Sequence, residues 1–207
     1  MKKIIFFALI SLCLFSCVQN NKTTTSTKNE EKVVEVIKPY KVMELVDTIV
    51  SIYPNLYVND VQKERFLSYL YMELDKKLSE DNSFLSEIPL QFSQMLKKGN
   101  KYILKFECGE YTTNDTKLNS KTSNTSINYA IFAEVDEDLA STLENNAIYT
   151  LNGKYKGYVK GKLKLPSGKV FDYPSSCYKT SLDEYGTVCI GGFLFDDISI
   201  TKSKINK

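Results

Sequence analysis

The side chains with the most chemistry to offer in this 207-residue sequence are five cysteines, a row of alternating lysines and a few adjacent carboxylates; there is no histidine. Without an imidazole, Ser-His-Asp and Cys-His nucleophile systems and His-ligated metal sites are excluded from the chain. No Gly-x-x-x-x-Gly-Lys-Ser/Thr and no Gly-x-Gly-x-x-Gly occurs, so nothing in the sequence predicts a phosphate-cradling loop. Asp136-Glu137-Asp138 and Asp196-Asp197 are the remaining candidates for acid–base work, but adjacent acids are most often solvated turns or helix starts. The sequence therefore predicts no catalytic residue, no metal site and no cofactor, and a protein that is not an enzyme.

The lysines are more distinctive. Lys154, Lys156, Tyr158, Lys160, Lys162 and Lys164 share one parity, and Tyr155, Gly157, Val159, Gly161, Leu163 and Leu165 the other. On a straight strand this sets five ammonium groups and one phenol on a single surface. Such a face can hold an acidic polymer by charge and stack a base or sugar on the tyrosine ring. It is equally what an exposed strand uses to block edge-to-edge aggregation. A break at Gly157 or Gly161 would scramble the parity.

Two of the cysteines, Cys13 and Cys17, lie in a leader with a positive start at Lys2-Lys3, an apolar run from Ile4 to Phe15 and the small residue Ser16. Twelve helical residues rise about 18 Å, too little for roughly 30 Å of hydrocarbon, so a spanning helix is not expected. Leu14-Phe15-Ser16-Cys17 resembles the lipobox of bacterial lipoproteins. The resemblance implies cleavage after Ser16 and attachment of a diacylglyceryl group to Cys17, with acyl chains such as palmitate holding the chain to a membrane. A plain secretory signal with an incidental cysteine is the competing reading. One acyl chain anchors marginally and two or three anchor stably.

With Cys17 lipidated, Cys108, Cys177 and Cys189 remain, an odd number in a compartment where disulfides form. Cys177 and Cys189 flank the turn signal Leu182-Asp183-Glu184-Tyr185-Gly186, and a bond between them would contribute about 3 kcal/mol by closing a loop of this size. Cys108, inside a strand pattern, reads as a buried hydrophobe.

Gln19 to Lys32 has no aliphatic or aromatic residue and cannot bury enough surface to offset its ordering entropy, which makes it a tether. The chain carries 27 basic and 25 acidic residues; removing Lys2 and Lys3 with the leader leaves 25 of each. That balance does not support wholesale attraction to nucleic acid or to anionic lipid. The expected organisation is a signal peptide over 1–16, a lipidated cysteine and tether over 17–38, a helical segment over 39–98 and a strand-rich body over 99–203.

The body's period changes along the chain. Tyr40–Tyr53 and Asn59–Glu80 have helical apolar spacing, with Phe66, Leu67, Leu70, Leu74 and Leu78 on one side, Pro54-Asn55 between the two helices, and Asn59 or Asp60 as cap. Ile88 to Phe92 is read as extended because Pro89 disfavours helix before it. From Lys101 the alternation of Tyr102, Leu104 and Phe106 against Lys105 and Glu107 predicts a half-buried strand. Further strands are expected over 128–135, 147–152, 153–165, 169–173 and 188–200, with a short helix after Asp136. The fold class read from this is α+β, an N-terminal helical segment followed by a small antiparallel β-barrel. LENNAIYTLNGKYKGYVKGKLKL and GGFLFDDISI (Leu143–Leu165 and Gly191–Ile200) are similar to the later strands of envelope proteins of the tRNA-anticodon-binding-like OB-fold family.

The function these readings imply is a membrane-tethered extracytoplasmic binding module whose partner is an envelope protein or polymer. A structural envelope scaffold is the alternative, and a lysozyme-inhibitor-like lipoprotein using Ser167-Gly168-Lys169 as a hairpin tip is a narrower variant; an enzyme using carboxylates stands last. No acidic sorting cluster follows Cys17, which places the protein, in a cell with two membranes, on the outer membrane facing the periplasm.

Overall fold

The computed structural model describes residues 38–108, 116–120, 125–159, 164–171, 181–183 and 185–204. The described residues all fall within one compact unit, Ile37–Lys207. The leader, Cys17 and most of the tether lie outside the described residues.

The first unit of regular structure is a pair of helices, α1 (Lys41–Ile52) and α2 (Asp60–Glu80). Asn59 caps α2: its Oδ1 accepts from the Gln62 N–H at 3.0 Å, and Gln62 Oε1 in turn accepts from the Asn55 N–H at 3.0 Å. A cap of this kind contributes about 1 kcal/mol. At the other end Lys41 Nζ meets Asp81 Oδ2 at 2.7 Å, tying the start of α1 to the residue that ends α2. Val42, Met43, Val46 and Ile49 of α1 and Phe66, Leu70, Leu74 and Leu78 of α2 are buried, as helical spacing requires.

Six strands follow: β1 (Pro89–Lys98), β2 (Lys101–Glu107), β3 (Ser126–Val135), β4 (Ile148–Val159), β5 (Ser181–Leu182) and β6 (Thr187–Lys202). A 3₁₀ turn at Thr116–Leu118 precedes β3, and a short helix α3 (Glu137–Ser141) lies between β3 and β4. β1 pairs with β2 and β4, β2 with β3, β3 with β6, and β6 with β4, so the pairings return to their start and close a ring of hydrogen bonds. All pairs are antiparallel except β3 with β6, which is parallel. β5 adds to β6 outside the ring. The α+β class stands.

The strand-rich part begins at Pro89 and not at 99, because β1 supplies the strand that joins β2 to β4. Nor is the helical segment a separate body. Leu90, Phe92, Leu104, Phe106, Tyr149, Phe193 and Phe195 of the ring share one apolar cluster with the buried faces of α1 and α2. Tyr155 on β4 donates its phenolic O–H to Asp75 of α2 at 2.8 Å. Burial, and then this hydrogen bond, push the Tyr155 phenol above the ordinary tyrosine range.

The opposite face of β2 and β3 is buried too. Ile103, Ala130 and Phe132 pack with Leu165, Phe171 and Cys189 in a second cluster, and the Phe132 and Phe171 rings meet edge-on at 5.2 Å. Lys105, expected outward and half-exposed from its alternation, is 4% exposed and pairs with Glu107 at 2.6 Å. The cover comes from residues far along the chain, which alternation within β2 cannot register. The hairpin over 164–170 is tight: Leu165 N–H donates to Lys169 O at 2.8 Å and Gly168 N–H to Leu165 O at 2.9 Å.

A candidate binding cleft beside helix α3

Two irregularities on adjacent strands build the site. β4 shifts register between Tyr155 and Gly157, leaving Lys156 as an extra residue, and between Asn152 and Lys154, opposite Asp197 and Ile198 on β6. Asp197 adopts a left-handed φ of 49°. Bulges re-aim side chains, and here they turn Lys156, Asp196 and Asp197 toward the end of β3, the start of β2 and α3. The result is a cleft of about 460 Å³ whose charged lining is Lys101, Glu134, Asp136, Lys156, Asp196 and Asp197, with Val135, Leu139 and Leu194 as apolar wall.

The lining carries four carboxylates against two ammonium groups. Lys156 Nζ meets Asp196 Oδ2 at 2.7 Å, Lys101 Nζ meets Asp136 Oδ1 at 3.9 Å, and Lys98 Nζ, from the rim, meets Glu134 Oε2 at 2.6 Å. The hydrogen bond Lys156 donates to Asp196, and then the carboxylate's charge, raise the Lys156 ammonium above the usual lysine range. The second Asp196 oxygen, Oδ1, is buried and accepts no hydrogen bond from the described residues. A buried acceptor left unmatched costs about 1–3 kcal/mol, so this atom favours a donor brought in by something else. Among the described residues no group of three or more carboxylate or thiol side chains is placed to hold a metal ion.

The lysine row does not survive as a single face. Lys154 and Lys156 are exposed on β4. Tyr158 is not with them: the extra residue at Lys156 reverses the parity, and its ring packs on the core side against Tyr71 at 5.0 Å and Phe193 at 5.8 Å. β4 ends at Val159 among the described residues, and Lys164 instead bridges Val170 in the hairpin. Lys160 and Lys162 lie outside the described residues. Where the row meets β6 its charge is matched by Asp196.

Cys189 is disulfide-bonded and buried; Cys177 lies outside the described residues. Cys108 is a half-buried thiol packed against the main core. The acids Asp136, Asp196 and Asp197 had been visible in sequence only as two separate adjacent sets; the parallel closure of β3 on β6 is what brings them together. Gly157 was the available signal, since a glycine inside a strand pattern often marks a bulge. Comparison with family models, with curated proteins and with solved structures finds no match to this chain.

Proposed function

We propose that this chain is a lipid-anchored binding module of a bacterial cell envelope, held to its membrane through Cys17 and taking a polar, positively charged ligand in the cleft beside α3. The ring order β1-β2-β3-β6-β4, its parallel closure and the helix between β3 and β4 support reading the sheet as a small barrel of the OB type. One observation carries the ligand class: Asp196 is held by Lys156 through one oxygen while the other, buried and unmatched, points to a missing N–H or O–H donor. Four carboxylates against two lysines favour a ligand bearing amines, such as a basic peptide or an amino-sugar polymer, over nucleic acid or another polyanion.

The test is thermal unfolding of the chain from Val18 onward with spermidine, chitosan oligomers or polyphosphate in low salt. At a hundredfold excess over Kd a specific ligand stabilises by about 2.7 kcal/mol, a rise of roughly 5–10 °C for a body of this size. The amines raise Tm and Asp196→Asn abolishes the rise. A rise with polyphosphate alone would refute the cleft and restore the lysine strand as the binding face. Labelled palmitate incorporated into the wild type and lost in Cys17→Ala tests the anchor separately.

A second reading draws on the hairpin. Ser167, Gly168 and Lys169 are exposed at a tight turn with Gly168 at φ 83°, the form a cleft-entering inhibitor loop would take. Protection of a bacterial cell wall from lysozyme, lost in Lys169→Glu, would favour it.

A further inference from the structure

The outward side of α2 is chemically unlike the rest of the surface. Projected at 100° per residue, Val61, Met72, Arg65, Lys76 and Tyr69 fall within an arc of about 80° that contains no carboxylate. All five are exposed, Val61 and Met72 at 58% and 61%. In the turn between the helices Val58 is 86% exposed. Arg65 is the chain's one arginine, and neither it nor Lys76 forms an ion pair with a described residue. Inside the arc the only charges are the two cations, with Asp75, Glu73 and Glu80 on its borders, and on an anionic bilayer the stems of such a stripe can bury while its cationic heads reach phosphates.

Chain length points to the same occupant. About twenty residues separate Cys17 from Lys38, so a chain lipidated at Cys17 brings the folded body to the membrane that holds it. Leashing of this kind makes a weak contact effective. No helix among the described residues is long and apolar enough to cross a membrane.

We infer that α2 is a second membrane contact, with Val58, Val61 and Met72 entering the headgroup layer and Arg65 and Lys76 on lipid phosphates. The inference rests on the anchor reading only for bringing the helix to the membrane, and its test omits the anchor. The chain from Val18 onward is sedimented with phosphatidylcholine vesicles containing about a quarter phosphatidylglycerol, and with phosphatidylcholine alone, in low salt. Binding is expected on the anionic vesicles, about fivefold weaker for Arg65→Ala or Lys76→Ala and at least tenfold weaker for Val61→Asp/Met72→Asp. These positions are exposed, so circular dichroism melts of the variants should match the parent. Absence of binding to the anionic vesicles, or equal binding by the parent and the double variant, overturns the inference. So does self-association in sedimentation velocity that the double variant abolishes while vesicle binding persists, which would assign the stripe to a second copy of the chain. Palmitate labelling of Cys17 reports on the anchor alone, so the two failures are distinguishable.

Discussion

Replacing Gly191 by alanine puts a methyl group where Tyr158 already stands. A Cβ built on Gly191 would overlap the Tyr158 hydroxyl oxygen and lie 2.5 Å from the ring, and Gly191 has φ of 92°. The backbone cost of holding an L-residue there is about 1–2 kcal/mol. Moving the ring loosens its edge contacts with Tyr71 and Phe193, each worth about 0.5–1.5 kcal/mol. Gly191→Ala should therefore cost about 3 kcal/mol, read as a shift of the urea midpoint at constant slope and a fall in Tm of roughly 10 °C. A double-mutant cycle separates the two contributions. With Tyr158→Ala as background the steric part vanishes, and Gly191→Ala should cost only the backbone share, leaving a coupling of about 1–2 kcal/mol. A cost below about 1 kcal/mol in the parent, or the same cost in both backgrounds, would refute the Tyr158 ring as the reason glycine stands at 191.

Acid should weaken the joint between the helices. The Lys41 ammonium, then the Ser83 hydroxyl and backbone N–H, hold the Asp81 carboxyl at about 2, against an ordinary value of 3.8. The stabilisation is thus complete above about pH 4 and disappears as pH falls through 2. Asp81 is 42% exposed, so screening reduces the gain below about 1 kcal/mol; unfolding at pH 5 and pH 2 should show the parent losing that much more than Asp81→Asn. On the other side of the ring, Lys105→Ala leaves Glu107 without its partner and opens a gap beneath the outer cluster. A loss of about 2 kcal/mol is expected in denaturant melts, about half of it recovered by Lys105→Met, which restores the stem.

Much of the scaffold was legible because its causes are local. Phe66, Leu70, Leu74 and Leu78 share a helix face and are buried, and Asn59 supplies the expected cap. β2 and β3 carry the apolar alternation that their inward faces need. β1 was seen only at its start, since the shift between Phe92 and Gln94 breaks its period. Of the cleft, only the break at Gly157 was legible. Its residues come from the end of β3 and the middle of β6, whose parallel pairing depends on ring closure, and from a bulge that turns Tyr158 away from the lysines beside it. The outer cluster was hidden for the same reason, because Leu165 and Phe171 meet Ile103, Ala130 and Phe132 only after the ring has formed.

Thr187–Lys202 supplies both ladders that finish the ring, one to β3 and one to β4. A shortened chain ending before Thr187 would therefore not be a smaller version of the same body; it would present two naked sheet margins, each ready to recruit a stranger. The last strand acts as a latch, and maturation of the emerging polypeptide waits on its arrival.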